Sequence, residues 1–276
     1  MMMNPTIIDF HSHMFPDRLA AGAIASLSEK AHIPAFTDGT AADTARVMER
    51  AGVSRHVVLN IAVSERQQRS VNDFAIASNG GRVIAFGSVH PFSEKAIFEL
   101  ERLREHGIRG VKFHNEYQDF FVNDPTAYRV YEKCAALGLI MVFHGGVDLG
   151  FEPPVKASPE RFAEVCRDLK YERMVFAHMG GYKMSDQALE FLTDSGCYID
   201  TSFSADGKLA SETALALIRA FTAERVLFGS DCPWEDPARS IAFVNALPLT
   251  DSERSAIFSG NALGLLGEQC SKSDTL

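Results

Sequence analysis

Short runs of apolar, often β-branched residues alternate along this chain with longer segments whose apolar residues recur at helical spacing. The runs lie at 6–13, 55–63, 82–90, 108–114, 138–144, 173–178, 197–203 and 225–231. Most of them are almost continuously apolar, which is typical of parallel strands that are covered on both faces. The pattern therefore predicts eight parallel strands joined by helices.

Two of the predicted helices carry recognisable start signals. The segment 158–169 begins with Ser158 as an expected N-cap, followed by a proline at the first helical position. The segment 124–138 repeats this scheme with Asp124 as the expected N-cap and Pro125 after it. Both segments place their apolar residues on one face, as a helix packed against a sheet requires.

Eight strands that alternate with helices predict an α/β fold, a (β/α)8 TIM barrel, in a single domain over residues 1–276. A doubly wound open sheet is the alternative, but no glycine-rich phosphate-binding turn follows the first run. The stretch 14–40 is expected to be irregular and to lie over the mouth of the barrel. The final segment, EQCSKSDTL (268–276), is expected to be a solvated tail.

Composition and charge narrow the classes of function. A net charge of −9 argues against nucleic acid or an anionic membrane surface as a partner. The longest apolar run, around 136–143, is too short to span a bilayer, and no secretory signal pattern opens the chain. The scattered cysteines form no C-x-x-C pair, which suits a reducing compartment. We therefore expect a cytoplasmic protein with a small-molecule substrate, and homo-oligomer formation stays open.

Histidines and one acid are concentrated where the predicted strands end. Six of the nine histidines are found there. They are His11 and His13 on the first strand, His90 on the third, His114 on the fourth, His144 on the fifth and His178 on the sixth, and Asp231 closes the eighth. Because the C-terminal ends of barrel strands meet at one face, where this fold places its active sites, we expect these side chains to share one site.

The spacing of His11 and His13 predicts a metal site. Side chains two residues apart on a strand lie on the same face, and buried imidazoles are costly unless they are satisfied. Neutral imidazole is a common metal ligand, so a shared ion accounts for the pair. His144 and Asp231 are the further expected ligands, and Asp231 is also the expected proton acceptor. Ordinary strand-end and turn roles are the alternatives for these two residues.

Three more residues are candidates for catalytic roles in the same place. His178 has the same strand-end context as the expected ligands. Lys112 and His114 share one face of the fourth strand, so both either point into the site or pack outside it. Trp234 and the pair Phe120–Phe121 follow strand ends and are candidates for the wall of the substrate pocket, with simple packing as the alternative.

The order of five motifs carries a family resemblance. They are DFHSH, GVKFH, MVFHGG, VFAHMGG and LFGSDCPW, followed by IFSGNALGLLG at 257–267. In this order the chain resembles the metal-dependent amidohydrolase superfamily over residues 6–267. It looks closest to the branch that contains aminocarboxymuconate semialdehyde decarboxylase and uncharacterised barrel hydrolases.

The resemblance implies a role for each matching residue. His11, His13, His144 and Asp231 would be the metal ligands, and His178 would contact the substrate or the attacking water. Binuclear members carry a carboxylated bridging lysine near the position of Lys112. The neighbouring His114 is not part of that pattern, so a single divalent ion is expected, zinc or alternatively manganese.

Two reactions follow from such a site. The first expectation is hydrolysis of an amide, lactone or ester bond in a small molecule, since a divalent ion makes water a nucleophile at neutral pH. The alternative is decarboxylation of a small unsaturated or aromatic acid, with Lys112 as a candidate anchor for the carboxylate. A barrel that binds a metal or ligand without catalysis is the third possibility, but the presence of both Asp231 and His178 argues against it.

Overall fold

The computed structural model describes residues 6–268, and its centre is a ring of eight parallel strands. The strands are β1 (Ile8–Ser12), β2 (Arg55–Leu59), β3 (Val83–Phe86), β4 (Gly110–Phe113), β5 (Ile140–Phe143), β6 (Met174–Phe176), β7 (Tyr198–Asp200) and β8 (Val226–Leu227). Each strand pairs in parallel with the next along the chain, from β1 to β3 and from β4 to β8. All eight predicted strands are present, and each is shorter than its apolar run.

Two seams join these sets of strands into a closed ring. Between β3 and β4, Gly87 pairs with Val111 in parallel register. Between β8 and β1, the Phe10 amide donates a hydrogen bond to the Phe228 carbonyl at 2.7 Å. The sheet is therefore a barrel, which confirms the predicted (β/α)8 fold. The extent of one domain over 1–276 stays a prediction, because 1–5 and 269–276 lie outside the described residues.

Helices surround the barrel. They are α1 (Asp17–Ala31), α2 (Ala41–Arg50), α3 (Glu65–Ser78), α4 (Ala96–Glu105), α5 (Tyr128–Ala136), α6 (Pro159–Leu169), α7 (Ser185–Phe191), α8 (Ser211–Phe221), α9 (Pro237–Ala246), α10 (Asp251–Ser255) and α11 (Asn261–Leu266). Within residues 6–268, none of the helices combines the length and apolar character that a membrane span needs. All but the first residue of the predicted C-terminal tail lies outside the described residues.

Apolar side chains fill the barrel, and α11 covers one of its ends. Leu265 and Leu266 of α11 belong to the same buried cluster as Ile8 and Phe10 of β1. Arg109, which precedes β4, donates a hydrogen bond to the Leu266 carbonyl, so α11 sits where the strands begin. A larger apolar cluster fills the layer between the strands and the outer helices. Polar residues occupy the opposite end of the barrel, at the C-terminal ends of the strands.

The segment 14–40 corrects one prediction and supports another. It is not irregular throughout, because it contains the 15-residue helix α1. Its alanine-rich sequence favours a helix, with Asp17 in the first turn and Lys30 in the last, where each charge opposes the helix dipole. Only Ala20 of α1 is buried, so packing against the core imposes no strong apolar pattern on the sequence of this helix. It does lie beside the mouth of the barrel, as expected.

The helix before β5 begins later than predicted. Asp124 is not its N-cap, because the Asp124 carboxylate accepts a hydrogen bond from the Thr126 amide within a turn. The helix α5 starts only at Tyr128. The other start signal is confirmed, since α6 begins at Pro159 with Ser158 as its N-cap residue.

Candidate metal centre and active-site cavity

The C-terminal ends of the strands surround a cavity of about 530 Å³. Seven of the residues predicted for the site line it, together with Trp234. They are His11, His13, Lys112, His114, His144, His178 and Asp231. The predictions for His90, Phe120 and Phe121 are wrong, because none of the three is among the described residues that line this cavity. Phe120 instead packs in the larger apolar cluster. The common cavity is the arrangement expected when polar residues follow several barrel strands.

His11, His13 and Asp231 form a compact set of metal-ligand atoms. Nε2 of His11 lies 3.3 Å from Oδ1 of Asp231, and Nε2 of His13 lies 3.2 Å from the same oxygen. The three ligand atoms all lie within 4.8 Å of one another. Two imidazoles and one carboxylate that converge in this way are a donor set typical of zinc and related divalent ions.

Partners of the other imidazole nitrogens fix the orientation of both rings. Nδ1 of His11 lies 2.8 Å from Oδ2 of the buried Asp200, and Nδ1 of His13 lies 2.9 Å from the Leu59 carbonyl oxygen. When each Nδ1 donates its proton to these oxygens, each Nε2 keeps a free lone pair that faces Asp231. Metal-binding histidines are commonly held by such a carboxylate or carbonyl. The residues present therefore fit a divalent ion.

The protonation states of this set also suit a metal. Burial, together with the nearby charge of Lys112, lowers the pKa of His11 to about 3. Burial by itself raises the pKa of Asp231, but His11 and His13 outweigh that effect and hold it below its ordinary value. Neutral imidazoles beside an ionised carboxylate are the forms that bind a metal ion.

Left-handed backbone conformations place two of the site residues. Asp231 has a φ of 70° and His178 has a φ of 58°. Asp and His are among the residues that tolerate this region best, whereas bulky or β-branched residues are strained there. The Asp231 amide also donates to the His11 carbonyl at 2.8 Å, so the turn after β8 is tied to β1.

His144 lies beside other histidines of the cavity. Its Nδ1 is 3.1 Å from Nε2 of His178, and its ring stacks on the ring of His114 with centroids 4.3 Å apart. His114 Nε2 is in turn 3.3 Å from Oδ2 of Asp148, so His114, His144 and Asp148 form another compact donor group. Nε2 of His144 is buried and has no hydrogen-bond partner among the described residues. The fourth-ligand role of His144 stays a prediction.

Lys112 also carries a buried polar group without a partner at this site. Its side chain is 1% exposed, and Nζ has no hydrogen-bond partner among the described residues. Burial lowers the pKa of Lys112 to about 8, although the charges of Asp200 and Asp231 oppose this shift. Burying a cation without a partner is costly, so an ammonium kept here is typical of a binding site.

Two acids of the site were missed by the sequence reasoning. Asp200 lies inside the run 197–203, where it looked like one polar position in a strand. The structure shows it completely buried at the end of β7, with hydrogen bonds from the His178 amide and the Ser202 hydroxyl. Asp148 lies in the loop after β5, without any motif that marks it. For Asp200, its position at the end of a strand was the feature that could have marked it as a site residue.

Family comparison agrees with this geometry. The amidohydrolase family profile matches residues 8–267, so the chain belongs to the amidohydrolase family. The predicted resemblance is thereby confirmed. A search of curated proteins finds no match to this chain.

Solved structures with the same fold include enzymes that hold metals. A dihydroxybenzoic acid decarboxylase from a Polaromonas species, with bound manganese and the inhibitor 2-nitroresorcinol, shares 16% identity at a TM-score of 0.70, covering 96% of this chain and 97% of that chain. A zinc-bound amidohydrolase from Burkholderia multivorans shares 15% identity at a TM-score of 0.72, and the match covers 96% of this chain and 100% of that chain. An uncharacterised TIM-barrel protein from Bordetella bronchiseptica shares 18% identity at a TM-score of 0.75, and the match covers 95% of this chain and 100% of that chain. At these identities the likeness establishes the fold.

Proposed function

We propose that this protein is a metal-dependent decarboxylase of a small aromatic or unsaturated carboxylic acid. The observation that carries the proposal is the buried, unpartnered ammonium of Lys112 beside the candidate metal ligands. A substrate carboxylate is the natural partner for such a cation, and pairing offsets the cost of burying both charges. The decarboxylases among the structural neighbours support this choice of reaction.

Each residue of the site has its own role in the proposed decarboxylation. Lys112 holds the substrate carboxylate, and the aromatic wall, which includes Phe203 and Trp234, keeps water from the reacting ring. The bond between the ring and the carboxylate then breaks, CO2 leaves, and the ring carbon keeps the electron pair. That carbon takes up a proton from solvent water, and Asp231, which is ionised in the free site, accepts this proton and passes it on to the carbon. A divalent ion held by His11, His13 and Asp231 would stabilise negative charge that develops on a substrate oxygen.

The metal and the location belong to the proposal as well. One divalent ion is proposed, zinc or alternatively manganese. Solved structures of the same fold, one with bound manganese and one with bound zinc, support a divalent ion here. His144 is proposed as its further ligand, with its unpartnered Nε2 in support. A cytoplasmic location is proposed because the four described cysteines are free thiols, as in a reducing compartment.

The test must separate decarboxylation from hydrolysis, which was the first expectation from the sequence. The zinc-loaded and manganese-loaded proteins are incubated in 18O-labelled water with hydroxylated benzoic acids and, separately, with lactones and amides. A decarboxylase releases CO2 from an acid without labelling the remaining product. A hydrolase instead places 18O in a new carboxylate, and that result with no CO2 release would overturn the proposal.

A variant at Lys112 tests the residue that carries the argument. Lys112→Met keeps the length of the side chain and removes the charge, so we expect kcat/KM for the acid to fall by about 100-fold or more. The matched control is Lys95→Met, which removes an exposed lysine outside the cavity and should leave kcat/KM unchanged. Equal rates for both variants would contradict the role of Lys112.

A further inference from the structure

The cavity extends beyond the polar residues into a space lined by two helices. On α1, the residues Leu19, Ala23 and Leu27 recur every four positions and line this space. On α3, Val71 and Phe74 line it as well. Residues at these spacings share one helix face. The helix α1 therefore turns an apolar stripe towards the cavity, and α3 adds two large apolar side chains beside Gln67 and Ser70.

The stripe on α1 has no core to cover. Only Ala20 of the whole helix is buried, and Leu19 is 52% exposed. Val63 and Leu149, which line the same cavity, are 36% and 37% exposed. Large apolar side chains that stay exposed around one opening mark a place where apolar material binds. Here they are continuous with the cavity that holds the candidate metal ligands.

The two parts of the cavity differ in chemistry. The inner part carries Lys112, the histidines and Asp231. The part beside α1 and α3 is lined by apolar side chains together with Arg18, Ser26, Gln67 and Ser70. The cavity volume of about 530 Å³ lies within the range of sites for drug-sized ligands, of about 300 to 1,000 Å³, and exceeds what a single-ring acid occupies. The space beside the helices would remain unfilled by such an acid.

We propose that the space between α1 and α3 is a subsite for an apolar extension of the substrate, a second ring or an alkyl chain. The inference rests on the proposed function, since it places the reacting carboxylate at Lys112. The substrate is then an acid with one polar end at the metal ligands and one apolar end between the helices. Ala23, the smallest of the residues on the α1 stripe, sets how large the extension can be.

Binding of matched ligand pairs tests the subsite without turnover. The probes are benzoate and biphenyl-4-carboxylate, measured by calorimetry with the zinc-loaded protein. Burying the second ring should make biphenyl-4-carboxylate bind about tenfold more tightly or better. The neutral pair benzamide and biphenyl-4-carboxamide is measured in parallel. The neutral pair should show the same gain even if the carboxylate role of Lys112 is wrong.

Two variants show whether the tighter binding of the biphenyl probes comes from the proposed subsite. Ala23→Phe fills the subsite, so the advantage of the biphenyl probes should disappear while benzoate binds as before. The matched control is Ala25→Phe on the same helix, an exposed position that does not line the cavity, where the advantage should persist. Unchanged benzoate affinity also shows that Ala23→Phe is folded.

The contrary outcomes are equally specific. Equal affinity of the wild-type protein for the short and long probes would overturn the subsite, as would a gain that survives in Ala23→Phe. A change in oligomeric state on Ala23→Phe without any effect on the probes would assign this face to a second copy of the chain and also overturn the proposal.

Discussion

Lys112 carries an ammonium group in an almost completely buried side chain at the wall of the cavity. Its pKa is about 8 in the folded protein, against an ordinary value of 10.5, because burial disfavours the charged form. Between pH 8 and pH 10.5 the unfolded chain binds this proton more tightly than the folded one, so the contribution of Lys112 to the free energy of unfolding rises with pH. Below pH 8 the fold bears the whole cost, which corresponds to roughly 3 kcal/mol.

This cost predicts that removing the charge stabilises the protein. Lys112→Met should raise the free energy of unfolding at pH 7 by up to roughly 3 kcal/mol, since methionine fills a similar volume without a charge. The gain should shrink as the pH approaches 10. Urea unfolding of both proteins at several pH values measures the difference. A gain that is the same at pH 7 and pH 10 would show that the buried charge is not its source.

Single residues also show how far sequence can define the site. His11, His13 and Asp231 were predictable, because they end apolar runs and every barrel strand ends at the same face. Asp200 was not, although it holds Nδ1 of His11 at 2.8 Å. Its partner is 189 residues away along the chain, and only the closed ring brings the two together. The closure of the barrel therefore determines that Asp200 orients His11.

At the scale of elements, α1 is held less firmly than the helices of the barrel wall. It buries only Ala20, whereas α6 buries Phe162 and Val165 in the larger apolar cluster. The free energy of local opening follows the buried contacts of an element. In its last turn, Nζ of Lys30 lies 3.4 Å from the centroid of the Phe151 ring.

We therefore predict faster hydrogen exchange for the amides of α1 than for those of α6. The measurement is native-state exchange followed by mass spectrometry on the free protein, with both helices read in the same sample. Lys30→Ala should speed the exchange of α1 further and leave α6 unchanged, because it removes the cation–π contact. Equal protection of the two helices would contradict the loose packing of α1.

Elements differ in how well the sequence predicted them, for a physical reason. Strands and α6 were predictable because their apolar residues face a core, and burial imposes a period on the sequence. The stripe of α1 faces a cavity instead, so its pattern is weak and the helix was missed. Asp124 has the residue type of an N-cap, but its carboxylate is used by a turn before α5.

The whole barrel depends on two seams, and glycines sit at both. At Gly110, beside the β3–β4 seam, an added Cβ would lie 2.3 Å from a ring carbon of Phe86, which packs inside the barrel. At Gly229, beside the β8–β1 seam, it would lie 2.8 Å from Cβ of His11. Both close approaches require glycine. The first seam borders the core, whereas the second borders the candidate metal centre.

The two seams should respond differently to the same substitution. Gly110→Ala crowds the core and should cost about 1 to 3 kcal/mol of stability while zinc affinity stays as in the wild type. Gly229→Ala displaces His11 and should weaken zinc binding about tenfold or more. Zinc affinity is measured by competition with a chelator, and stability by urea unfolding. Gly22→Ala is the control, because its added Cβ meets nothing within 4 Å. Wild-type zinc affinity in Gly229→Ala would show that closing the barrel at β1 does not position a metal ligand.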